Sequence, residues 1–118
     1  MTLDRGLVDW AAEAVAPLGD PSWRAMMGGA TLYCDGIAYA IVADDALWFK
    51  ADAETDVEWE AAGAQRFSYP RKDGRVATMN YRHAPADAYD DPDAFRHWAT
   101  LALAAGRRAA AKKATRRR

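Results

Sequence analysis

Between residues 3 and 18, apolar positions recur every three or four residues: Leu3, Leu7, Ala11, Ala14, Val15 and Leu18. That spacing gathers them into one stripe of a helix. Pro17, Gly19 and Pro21 then end it. Beyond them the apolar runs shorten to strand length, over residues 22–27, 31–34, 37–43 and 46–50. Gly28-Gly29, Asp35-Gly36 and Asp44-Asp45 separate the runs. A two-residue hairpin turn needs positive φ at both positions, and Asp-Gly supplies it, so these runs read as an antiparallel meander. Thr55-Asp56-Val57-Glu58 has the form of a capping box and predicts a short helix to about residue 62, closed by Gly63. Residues 65–69 and 75–81 read as two more strands joined by the turn-rich 70–74. Asp91-Pro92 is an N-cap followed by a proline at the first helical position. It opens a last helix with Phe95, Trp98, Leu101, Ala102 and Ala105 on its apolar face and Gly106 at its end.

The elements therefore run α, β-meander, short α, β-hairpin, α. This is an α+β order with an antiparallel sheet. Trp48 and Phe49 are successive in a strand, so they point to opposite faces, and the second face needs a cover from a helix or a partner. The 118 residues make one domain, and five tryptophans in a chain that is 51% apolar are ample for a core. No apolar run reaches membrane-spanning length, so no membrane is expected. The acidic start MTLDRG is not a signal peptide. Cys34 stands alone, which excludes an internal disulfide and fits a reducing cytoplasm.

Net charge changes this picture. The total is −1, but residues 1–106 hold nine basic and 17 acidic residues, and 107–118 hold seven basic residues and no acid. An acidic domain, 1–106, thus carries a basic low-complexity tail, 107–118. Arg107, Arg108, Lys112, Lys113, Arg116, Arg117 and Arg118 are the candidate nucleic-acid contacts. Such a cluster neutralises phosphates without reading sequence. The same cations suit a solubilising arm, or one folded back on the acidic domain. The tail reads equally as a helical extension or as disorder.

The glycine pair is no phosphate loop. No Lys-Ser or Lys-Thr follows it, and it lies between strands rather than before a helix. It reads as a bulge or a close packing contact. Together with its surroundings it carries a resemblance. Met26, Gly28, Gly29, Leu32, Tyr33, Asp35 and Gly36 follow the pattern MFGGxGLYxDG and resemble the N-terminal domain of the TfoX/Sxy family. The likeness continues through IAYAIVADDALWFK (37–50), FSYPRKDGRVATMNYRHAP (67–85) and DPDAFRHWATLALAAG (91–106), covering roughly residues 22–106. Met27 replaces the usual Phe, and Thr31 the usual Gly. The resemblance implies an α-β(3)-α-β(2)-α domain, its antiparallel sheet covered by N- and C-terminal helices, similar to the secretion-chaperone class. It also implies a regulator of competence genes. Full-length relatives add a C-terminal helical domain. This chain has the basic tail in its place, so it looks like a stand-alone N-terminal-domain protein.

Other residues offer candidate chemistry. Asp44-Asp45 and Asp90-Asp91 are paired carboxylates, but they sit at turns and caps where Asp is favoured locally. Cys34 with His83 or His97 makes a nucleophile and base only if the fold joins them. Arg71, Lys72 and Arg75 surround a turn. Exposed strand aromatics offer stacking or partner surfaces. No catalytic, cofactor or metal motif is present. The expected function is a cytoplasmic, non-enzymatic regulatory adaptor. It would bind a protein partner through its sheet and DNA weakly and non-specifically through its tail. The alternatives are a small-molecule-binding protein or enzyme with an unrecognised pocket, and a homodimeric assembly protein.

Overall fold

The computed structural model describes residues 4–26 and 28–116. Helix α1 (Arg5–Val15) starts at Asp4, whose carboxylate accepts the Leu7 N–H at 3.0 Å. Its buried stripe is Val8, Ala11, Ala14 and Val15. Leu7 is only partly buried against the core, and Leu3 lies outside the described residues. A 3-10 turn, Ala16–Leu18, finishes the helix.

Strands β1 (Pro21–Met26), β2 (Gly29–Cys34), β3 (Ile37–Ala43) and β4 (Ala46–Lys50) form the meander. Helix α2 (Asp56–Ala61) precedes the hairpin β5 (Arg66–Pro70) and β6 (Val76–His83), and α3 (Ala86–Asp90) and α4 (Pro92–Arg116) follow. All strands join one antiparallel sheet in the order β1-β2-β3-β4-β6-β5. The α+β architecture is the expected one; the four strands before α2 match the four apolar runs and are one more than the resemblance implied, and α3 is added. At five residues, α3 is too short to leave a periodic signal.

Both acidic turns have the predicted geometry. Asp35 and Gly36 adopt φ of 51° and 77°, and Asp44 and Asp45 adopt 52° and 59°. The glycine pair divides its work. Gly28 turns the chain at φ 83°. Gly29 lies so close to β3 that a Cβ would overlap the Val42 carbonyl. The capping box does not form. Thr55 has helical dihedrals, and its hydroxyl and amide bond to Asp52 rather than into α2.

All four helices pack on one face of the sheet. There Val8, Leu32, Leu47, Phe49, Trp59, Ala88, Phe95 and Leu103 belong to one buried cluster. Phe49 stacks on Trp59 at 5.7 Å, and Trp59 on Trp98 at 4.8 Å. Trp48 faces the other way, as its parity requires. No described helix covers it. Its cover is lateral, from Phe67 and His83 within the same sheet at 4.9 and 5.0 Å, and its indole N–H donates to the Ala43 carbonyl. With Ile41 and Tyr81 it makes a second, small cluster built wholly from strands.

Asp91 caps α4, its carboxylate accepting the Asp93 N–H at 2.9 Å. The core side of α4 is Phe95, Ala99, Ala102, Leu103 and Ala105, with Trp98 and Leu101 at its margin. Gly106 does not end the helix. The helix continues ten residues further, to Arg116. Gly106 is where α4 touches β3, since a Cβ there would stand 2.5 Å from the Ala38 carbonyl. Ala, Arg and Lys, strong helix formers, then carry the helix outward.

Candidate functional site

Of the basic residues after Gly106, Arg107, Arg108, Lys112, Lys113 and Arg116 lie on this outward end of α4. The helix is exposed from Ala109 to Thr115. Positions 108, 112 and 116 recur at four-residue spacing on one stripe, with Lys113 beside it. Arg117 and Arg118 lie outside the described residues. Arg108 is not a loose cation. Its Nε and one terminal nitrogen donate to the two Asp52 oxygens at 2.6 and 3.0 Å, and Nε lies 2.8 Å from Glu54. This bidentate clasp joins the root of the basic stripe to the loop after β4. The Arg108 hydrogen bond is the main influence holding the Asp52 carboxyl below the usual carboxylate range, against its partial burial. Arg107 sits near Cys34, whose thiol is pushed up by burial and then by Asp35, with Arg107 opposing. Cys34 is buried, and its thiol is shifted away from the reactive thiolate form.

A groove of about 500 Å³ runs between this end of α4, the end of β4 and the middle of β6. Arg108 and Lys112 stand on the helix wall, Asp52 and Glu54 on the loop wall, and Lys50, Met79 and Tyr81 on the sheet side. Lys50 lies over the Tyr81 ring at 5.0 Å, its ammonium 3.5 Å from the phenol oxygen.

Two other places carry polar groups. Arg82 is almost wholly buried. It pairs with Asp56 at 3.3 Å and with Glu60, and donates to the Ala64 carbonyl at 2.9 Å. Its Nε has no partner among the described residues. This network ties α2 to β6, and Arg82 is the leading influence lowering the Glu60 carboxyl. A second cleft, about 590 Å³, is bordered by His83, Tyr89 and Asp90. Two of its polar side chains are engaged in the fold. His83 Nδ1 lies 3.0 Å from the Ala84 carbonyl, and the Tyr89 hydroxyl accepts the Leu47 N–H at 2.9 Å.

The residues singled out by the motif are structural. Thr31 donates to the Met26 sulfur at 3.2 Å. Leu32 is buried and Tyr33 half-buried. Asp35 Oδ1 accepts the Asp20 N–H at 2.8 Å, while the Asp35 N–H donates to the Asp20 carbonyl at 2.9 Å. Gly28 and Gly36 supply turns, and Gly29 the close approach to β3. Asp44-Asp45 is a turn, and Asp90-Asp91 ends α3 and caps α4. His97 is exposed against Trp98, with Cys34 and His83 on other elements. Around the β5–β6 turn, Arg71 and Arg75 flank Asp73 at 4.0 and 3.9 Å. Sequence reasoning missed Arg82, the Asp52–Arg108 clasp and the Lys50–Tyr81 contact. For Arg82 a signal exists: its strand parity points a cation inward.

Comparison with known proteins bears on the family resemblance. Residues 13–106 match the family described as TfoX N-terminal domain. The chain is 33% identical over 67 residues to the DNA transformation protein TfoX1 of Aliivibrio fischeri (strain ATCC 700601 / ES114). That overlap is 57% of this chain and 32% of the relative, so the chain matches about a third of the relative's length.

Proposed function

Because this chain belongs to the TfoX N-terminal domain family, we propose that it is a competence-type regulatory adaptor rather than an enzyme, acting with a protein partner and holding DNA weakly through the outward end of α4. The competence role comes from the likeness to a DNA transformation protein. The DNA contact is supported by one structural observation. The basic segment is an exposed helical rod continuous with a core helix, rooted by the Arg108–Asp52 clasp. A rod of this kind presents its cations at a fixed spacing, with less ordering entropy to overcome on binding than a disordered arm. Contacts from about three cations give a salt slope near −3, a loss on the order of 40-fold between about 50 and 200 mM salt.

The test is fluorescence anisotropy of a short labelled duplex with the full chain and with Lys113→Glu/Arg116→Glu. The reading expects salt-sensitive, sequence-blind binding whose slope shrinks by about 2 in the double variant. Absence of duplex binding by the wild-type chain at low salt would overturn the DNA contact.

A further inference from the structure

All 17 acidic residues lie outside the six strands. They occupy helices, caps, turns and loops, so the −8 of residues 1–106 is not spread evenly. The sheet face without helices bears no carboxylate on any strand. The part of it nearest the α4 groove is aromatic and apolar. Along β6 and β5 it runs from Tyr81, which is buried beneath Lys50, through Met79 and the half-buried Phe67 to Tyr69, by the pairing Phe67↔Met79 and Tyr69↔Ala77. Met79 is 37% exposed and Tyr69 42% exposed. At one end of this strip lie Lys50 and Lys112, where the groove's own acids, Asp52 and Glu54, already face Arg108. Lys50 has no carboxylate partner among the described residues. At the other end is the β5–β6 turn with Arg71, Lys72 and Arg75 around one acid, Asp73.

We infer that this strip, from the α4 groove across the uncovered sheet face to the β5–β6 turn, binds single-stranded nucleic acid. Cations at both ends track phosphates, and Tyr69, the half-buried Phe67 ring and the Met79 thioether between them receive unpaired bases. Base-on-aromatic stacking tolerates any sequence, and it requires bases not already stacked in a duplex. A duplex offers phosphates alone and gains nothing from Tyr69. The inference deepens the DNA half of the proposed function and rests on it for the contribution of Lys112. It adds a preference for single strands that the exposed helix by itself does not produce.

The experiment is a titration of the full chain against a labelled oligothymidylate of roughly 20 nucleotides and a duplex of equal length, with salt varied. The expected result is tighter binding to the single strand. Tyr69→Ala should weaken the single strand about fivefold or more and leave the duplex unchanged, while Tyr69→Phe retains binding. Lys50→Gln should weaken the single strand and flatten its salt dependence by about one unit. Circular dichroism checks that each variant stays folded. Equal affinity for the two forms overturns the inference, as does a single-strand affinity indifferent to Tyr69→Ala. Either result returns the face to an acidic protein partner. Duplex binding through Lys113 and Arg116 survives that failure, so the two readings fall separately.

Discussion

The same six strands present two unlike faces. On the covered face, Leu47 and Phe49 join helix side chains such as Trp59 and Phe95 in one buried cluster, leaving both at 0% exposure. On the uncovered face, Trp48 reaches 8% only by leaning on neighbours within the sheet, while Tyr69 and Met79 stay in solvent. Both faces are free of acids along the strands, yet only one is a core. Apolar alternation therefore states which residues share a face, not whether a second layer exists to cover them. Helix α4 repeats the contrast end to end. Its first half is Ala- and aromatic-lined against β3 and β4, and its second half is an exposed basic rod.

The sharpest way to break the comparison is to truncate one ring on each face. Phe49→Ala opens a cavity among Trp59, Phe95 and the strands, and is expected to cost about 3–5 kcal/mol. Tyr69→Ala should change stability by no more than about 0.5 kcal/mol. Urea unfolding followed by tryptophan fluorescence and circular dichroism measures both. Equal losses would mean the uncovered face is a second core.

Next in size is Gly106→Ala. In an ordinary exposed helix this exchange stabilises by close to 1 kcal/mol. Here the new Cβ meets the Ala38 carbonyl and Ile37, so α4 must shift from β3, and a loss of about 1–3 kcal/mol is expected. A raised Tm in the variant would show that Gly106 ends a packing surface rather than making one.

The Arg108–Asp52 clasp, where the two halves of α4 meet, gives a pH signature. The Asp52 carboxyl titrates lower when folded than when unfolded. Its stabilising contribution is therefore complete above the unfolded value, about 3.9, and disappears as the pH falls through the lower folded value. Asp52→Asn should be less stable than wild type at neutral pH, with the gap closing below about pH 4. Midpoints of urea unfolding at neutral and acid pH test this, and a gap that persists unchanged in acid contradicts it.

The smallest expected effect sharpens the contrast from the other side. Lys113→Glu/Arg116→Glu should leave stability within about 0.5 kcal/mol, because α4 is exposed over residues 109–115. Only its duplex binding should suffer.

The sequence by itself determined the local chemistry. Strands β3 and β4, both acidic turns, the hairpin and the Asp91 cap were legible, because period-two alternation, αL-tolerant pairs and capping residues act over a few positions. It also separated Trp48 from Phe49 and the acidic body from the basic segment. Tertiary structure decided what needs distant partners. Gly106 reads as a stop from its neighbours, but β3 uses its missing side chain as a contact. Thr55 has the letters of a capping box, and Asp52 holds its hydroxyl elsewhere. Arg108 reads as one cation among seven until Asp52, 56 residues away, takes it. Arg82 reads as a polar strand residue until α2 brings Asp56 and Glu60 beside it. The uncovered face, with its aromatic strip between two groups of cations, exists only because every helix packs on the opposite side. Periodicity records the orientation of each residue relative to its own chain, whereas burial and charge pairing depend on which other segment arrives.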